Sequence, residues 1–201
     1  MKDNPRTQAE RRAATRQALI AAGRTLFAEQ GYGAVSTETI VQAAGVSRGA
    51  LYHHFADKAE LFAAVFEAVE EAVIARIGAV VEAAGPADPI ALMRLGASTW
   101  LDACAEPEIH RIALLDAPAV LGWTRWREIG GRYSMGMVVR LLSLAIESGS
   151  LPPQKVAPLA HLLLGAVRES ALFVAEATDR QQARQEVGAA LDGLILSLAA
   201  R

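Results

Sequence analysis

The sequence predicts an all-α protein, and three observations carry that reading. Apolar residues recur at helical spacing: Leu19, Gly23, Leu26 and Phe27 fall at i, i+4, i+7 and i+8, and Val187, Leu191, Leu194, Ile195 and Leu198 repeat the pattern near the other end. Glycine, proline and N-cap residues punctuate these stripes where helices stop and restart. No stretch alternates apolar and polar residues over a useful strand length.

Met1 to about Thr7 is polar, contains Pro5 and reads as a disordered arm. Residues 7–30 form the first helix, stopped by Gly31-Tyr32-Gly33, since a glycine just past a helix end readily turns left-handed. Residues 37–44 form a short helix with Ile40, Val41 and Ala44 inward; Gly45 breaks it. Ser47 then caps residues 48–55, whose inward pair is Leu51 and Phe55. Asp57, in an Asp-x-x-Glu arrangement with Glu60, caps a fourth helix running to about Ala84. Gly85-Pro86 closes it, and Asp88-Pro89 opens a fifth through Cys104. Pro107 starts a short sixth. Pro118 restarts the chain after Asp116, and a seventh runs to about Ser148 with Gly130-Gly131 as a candidate break. The SGSLPPQ segment is a loop, followed by helices over 156–177 and 181–199. The expectation is about nine helices in two units, residues 8–56 and residues 57–201.

Charge is uneven. Residues 1–58 hold eight Lys/Arg against five Asp/Glu, a balance of +3, while the remainder carries −5, for a total of −2. A basic N-terminal unit on an acidic body suits a protein that touches a polyanion with one end. The apolar content of 52% argues against general disorder. Cys104 is the only cysteine, which excludes an intrachain disulfide and favours a reducing compartment. There is no signal-peptide pattern, and charges break the apolar runs short of the ~20 residues needed to span a bilayer. A cytoplasmic protein without a membrane segment is expected.

Two short helices at an angle, joined by a glycine-containing turn, are the parts of a helix-turn-helix. The outer face of the second carries Arg48, Gly49, Tyr52 and His53. Ser47 and the amides at its start suit a phosphate. Arg48 can grip guanine N7 and O6. Gly49, which costs about 1 kcal/mol of helix propensity, lets the backbone approach DNA closely. Tyr52 can pack on a thymine methyl or sugar while its hydroxyl reaches a phosphate. The His53-His54 pair invites a metal reading, but adjacent helical positions diverge by about 100° and no acidic or cysteine partner is near. No metal and no cofactor are expected. His54 is divided between DNA and packing against its neighbour helices.

From Thr15 to Leu61 the chain resembles the N-terminal domain of the tetracycline-repressor (TetR) family, through TLFAEQGYGAVS and TIVQAAGVSRGALYHHFADKAELF. The resemblance implies that Tyr52 contacts DNA, that His53 touches its backbone, and that Ser36, Thr37 and Lys58 meet phosphates. There is one departure. Glu38 stands where the family's best-known member has a base-contacting arginine; an acid can accept from a cytosine amino group but cannot repeat that contact. Operator sequence therefore does not carry over.

The same resemblance implies that the rest of the chain binds a small effector and dimerises through its last two helices. Residues 156–177 are apolar nearly all round, which suits burial on two sides. Arg168-Glu169 interrupts them, serving either a dimer contact or the cavity. An aromatic and apolar lining is expected from Trp100, Cys104, His110 and Leu114, with Trp123, Trp126 and Phe173. The combined expectation is a ligand-responsive DNA-binding regulator. In detail, it is a homodimeric repressor released from a palindromic double-stranded operator by a small, largely apolar effector. The alternatives are a helical interaction module without operator binding, and an enzyme using His110 or Cys104.

Overall fold

A computed structural model describes residues 7–85 and 87–199. The N-terminal arm expected before Thr7, and Pro86, lie outside them. Among the described residues every regular element is helical: α1 (Gln8–Gln30), α2 (Thr37–Ala44), α3 (Arg48–His54), α4 (Lys58–Ala83), α5 (Pro89–Cys104), α6 (Pro107–Ile109), a π-helical segment (His110–Asp116), α7 (Ala117–Glu147), α8 (Val156–Glu176) and α9 (Arg180–Ser197).

Helix ends follow local chemistry. The Ser36, Ser47 and Asp57 side chains accept the backbone N–H groups of Thr39, Ala50 and Glu60, capping α2, α3 and α4. Gly45 ends α2 with φ 65°, a left-handed conformation that any side chain would strain. The capping box expected at Asp57 is only half made. The Glu60 carboxylate turns instead to Arg125 of α7, receiving two hydrogen bonds at 2.6 and 2.9 Å.

Pro118 sits where it is expected, in the first turn of α7 after Asp116, where its missing N–H is no loss. Two other expectations about the middle of the chain are corrected. The break falls at Gly122 (φ 75°, ψ 159°), while Gly130-Gly131 stays helical. The expected sixth helix keeps only three α-helical residues before widening into the π segment, a form often found at functional sites.

α1, α2 and α3 pack around Leu19, Phe27, Ile40 and Leu51, all fully buried. α4 closes this core and continues into the next one. Its Phe62 ring meets Phe27 and Tyr32, each at 5.2 Å between centroids and 73°, an edge-to-face geometry. At Gly23 the two helices nearly touch: a Cβ there would lie 3.2 Å from Val65. Further along, α4 packs on α5 and α7, and α8 and α9 pack on each other and against α5. Among the described residues, α8 alone is long and apolar enough to cross a bilayer, contrary to the charge-interruption argument; only 22% of that apolar window is buried.

Fully burying one such side chain contributes about 1.5–3 kcal/mol by transfer alone, and a cavity adds to the loss. Phe62→Ala therefore lowers the urea-unfolding free energy by about 3–5 kcal/mol. A loss within about 0.5 kcal/mol would show that α4 does not hold the first core together.

Candidate nucleic-acid interface and effector cavity

α3 presents one face to solvent. Ser47, Arg48, Gly49, Tyr52 and His53 are exposed, with Ser36 beside them and Thr37 half-buried. Nothing crowds Gly49 except Ser47 Oγ at 3.9 Å from a notional Cβ, so the backbone there is open to approach. Arg48 donates to Glu38 at 2.6 Å across the turn, and its guanidinium lies 5.7 Å from the Tyr52 ring centroid. The residue that departs from the family pattern thus holds the candidate base reader. The pair is exposed, so its contribution is small and Arg48 can leave it at little cost.

His54 is half-buried against α1. Burial first, then the charges of His53, Arg12 and Arg16, lowers its pKa, which favours the neutral ring. Lys58 differs from its sequence expectation in orientation. Its ammonium donates to the carbonyls of Tyr32 and Val35, both at 2.9 Å, and lies 4.0 Å from the Tyr32 ring centroid. Two of its three N–H donors are spent on the α1–α2 turn.

Behind α4 lies a cavity of about 920 Å³ of empty space, including the part open to solvent. Of the seven expected lining residues, Trp100, Leu114 and Trp126 face it. The other four do not. Phe173 is 52% exposed on the outer side of α8, because five helical residues beyond Arg168 turn it about 140° away. Trp123 is also 52% exposed; it follows the Gly122 kink and lies tilted against Trp126, at 4.8 Å between centroids and 48° between planes. Cys104 is buried in the core, which pushes its thiol pKa far up and leaves it unreactive. His110 is buried in the π segment with Nε2 unpaired among the described residues; burial, then the charge of Arg180, lowers its pKa.

Sequence reasoning missed Glu70 and left Arg168 undecided. Both line the cavity, whereas Glu169 is exposed. Glu70 is only 4% exposed, and burial raises its pKa to about 7 against the lowering charge of Arg168. The Arg168 guanidinium lies 5.1 Å from the Trp126 ring centroid, an attractive cation–π placement. A signal for Glu70 was available: Phe66, Glu70, Val73 and Ile77 fall at i, i+4, i+7 and i+11, which puts the carboxylate on the buried stripe of α4.

The cavity is mechanically joined to the α3 unit. The π segment lines it with Ala113 and Leu114, and Asp116 at its end accepts the Tyr32 backbone N–H at 2.8 Å. Just before it, Glu108 receives Arg24 of α1 in bidentate fashion at 2.6 and 2.7 Å.

Comparison with known proteins agrees with this fold. Residues 19–65 match the family described as bacterial regulatory proteins, tetR family, and residues 90–198 match the tetracyclin repressor-like C-terminal domain. The chain is similar to the transposon Tn10 TetC protein of Escherichia coli, with 26% identity over 98% of both chains. It is similar also to a TetR-family transcriptional regulator from Pectobacterium atrosepticum, 33% identical, with a TM-score of 0.84 over 98% of this chain and 99% of the other. A structure of RolR solved with resorcinol shares the fold at 21% identity and a TM-score of 0.74, covering 96% and 97% of the two chains.

Glu70 makes stability depend on pH. A carboxyl whose pKa rises on folding keeps its proton in the native state after the unfolded chain has lost it, so stability falls as pH rises from about 4.5 to about 7 and is flat above. Glu70→Gln removes this loss. Between about pH 5 and about pH 8, urea unfolding shows wild type losing on the order of 3 kcal/mol relative to the variant. Parallel pH profiles would mean that Glu70 is not desolvated.

Proposed function

The chain belongs to the TetR family of bacterial regulatory proteins, and from that premise we propose a homodimeric repressor that leaves a palindromic operator when a small, largely apolar effector fills the cavity behind α4. The chain is a DNA-binding transcription regulator and not an enzyme. The finer reading concerns how it is controlled. The observation that carries it is contiguity: α4 and the π segment each line the cavity and each hold the α3 unit.

On this reading Arg48 reads a guanine, Tyr52 and His53 meet sugar and phosphate, and Ser36, Thr37 and Ser47 anchor the backbone. Lys58 supports the turn that presents them, with one N–H left for a phosphate. Two α3 helices enter successive major grooves roughly 34–36 Å apart. An effector with greater affinity for a differently spaced conformation releases the operator. The cytoplasm is where such a protein meets its DNA.

The dimer face is the outer side of α8 and α9. Leu162, Gly165, Glu169 and Phe173 follow one exposed stripe on α8, with Leu162 72% exposed, and Gly193 and Leu194 extend it on α9. An apolar stripe of this kind suits a protein partner, and a two-fold axis makes it self-complementary. Leu194 is exposed, whereas Leu191 and Ile195, which share its helical spacing, are buried.

Gel shifts with the DNA flanking the chain's own gene test the reading. The dimer binds one fragment saturably and with strong salt dependence; no such binding to any flanking fragment would sink the proposal. Arg48→Ala loses about 1–3 kcal/mol of discrimination between that fragment and random DNA; equal losses on both would reduce Arg48 to a backbone contact. Leu162→Glu with Phe173→Glu gives a folded monomer in sedimentation, and an unchanged dimer mass would move the interface elsewhere.

A further inference from the structure

The cavity holds three polar groups whose hydrogen-bonding capacity is unspent. Glu70 and Arg168 both face Gly130, yet among the described residues they form neither a hydrogen bond nor an ion pair with each other. A Cβ added to Gly130 would lie 3.5 Å from Glu70 Oε2 and 3.4 Å from Arg168 Nη2. The two groups lie more than 4.0 Å apart, and the space over Gly130 lets a single heavy atom approach acceptor and donor together. Trp100 Nε1, on the same cavity, is buried with no acceptor among the described residues. Ser134 is already occupied, its hydroxyl donating to the Gly130 carbonyl at 2.9 Å.

Glu70 and the Trp100 indole N–H are buried and Arg168 is half-buried; a buried polar group left in this state carries a cost, which a ligand group of matching valence removes. One acceptor and one donor within reach of a single atom ask for a group that donates and accepts at once. A hydroxyl does both. A carboxylate only accepts, and would set a second anion beside Glu70 in a desolvated site. An ammonium only donates, and would face Arg168. The remaining walls are Trp100, Trp126, Met93, Met137 and aliphatic side chains, a lining of rings and thioethers that suits a flat aromatic body.

We propose that the effector is an uncharged aromatic alcohol whose hydroxyl sits over Gly130, donating to the Glu70 carboxylate and accepting from the Arg168 guanidinium. The proposal rests on the effector-site reading above and adds the head group. The ring lies between Trp100 and Trp126, and the hydroxyl links α4 to α8.

Three compounds of one shape separate the possibilities: 2-naphthol, naphthalene and 2-naphthoate, titrated by calorimetry into the wild-type dimer at about pH 8, where Glu70 is ionised. 2-Naphthol binds about ten- to a hundredfold more tightly than naphthalene, the factor expected for hydrogen bonds to charged groups, and more tightly than 2-naphthoate. Gly130→Ala fills that space with a methyl group in ordinary contact and no backbone strain, so the variant folds and its preference for 2-naphthol over naphthalene drops to about unity. Glu70→Leu has the same effect by removing the acceptor. Tighter binding of 2-naphthoate, equal binding of naphthalene, no binding of 2-naphthol, or an undiminished preference in both variants overturns the proposal. Gel shifts on the same protein keep the two readings apart: operator binding that persists while 2-naphthol fails leaves the regulator standing and removes only the head group.

Discussion

Phe62 lies edge-on against Phe27 and Tyr32 near the start of α4, and Ile77, fifteen residues later, faces the cavity. At 1.5 Å per residue these points are about 22 Å apart on one unbroken helix. Everything else is arranged around that continuity. The α1–α3 unit has no complete core without the first turns of α4, and the body has no cavity wall without its later turns. A helix buried at both ends cannot rotate or slide for one unit without disturbing the other. Close approach at Gly23 removes the slack that a larger residue there would have filled by pushing the helices apart.

Apolar burial joins the two units, but polar contacts set their angle. Arg24 with Glu108, Asp116 with the Tyr32 N–H, and Arg125 with Glu60 join α1, the α1–α2 turn and α4 respectively to the body. Each is partly exposed, so none contributes much stability alone. Their directionality matters more, because a bidentate guanidinium–carboxylate pair tolerates little rotation. Two such pairs and the Asp116 contact, from separate body residues, fix an orientation that oily packing alone would leave broad. A shift of the π segment loosens two of them together, since Glu108 and Asp116 flank it.

Most of the fold was legible because helical period and capping chemistry are local properties. Ser36, Ser47 and Asp57 cap as their types suggest, and Gly45 turns left-handed where the pattern stops. The exposed α3 face was legible for the same reason. The sequence misled where a contact is long-range. Glu60 suits a capping box by spacing, yet Arg125, sixty-five residues away, takes its carboxylate. Lys58 also has a role the resemblance did not imply, since two carbonyls of a distant turn take two of its three donors. Aromatic identity did not say which face a ring occupies, so Trp123 and Phe173 were assigned to a cavity they turn away from. The kink at Gly122, which decides Trp123, has no signal beyond the glycine itself. Glu70 was the recoverable miss, since its register with Phe66, Val73 and Ile77 was already in the sequence.

Stability alone gives no reason for Glu70 and Arg168 to occupy an apolar cavity. A well-packed apolar pair would be as stable or more so, because the attraction of two desolvated charges seldom exceeds what burial takes from them. Their arrangement is informative in another way. Glu70 stands on α4, the helix that completes the α3 unit; Arg168 stands on α8, the helix that carries the exposed apolar stripe. With no hydrogen bond between them, the separation of the two helices at this point is held only by surrounding packing. A ligand group that bonds both carboxylate and guanidinium selects one separation and disfavours others. In the dimer proposed above, joined through α8, the position of α4 relative to α8 would also be the position of each α3 relative to the two-fold axis. The affinity a ligand gains at Gly130 is then, by linkage, the free energy available to change the spacing of the two readers, and it can be no larger than the difference in that affinity between the two spacings.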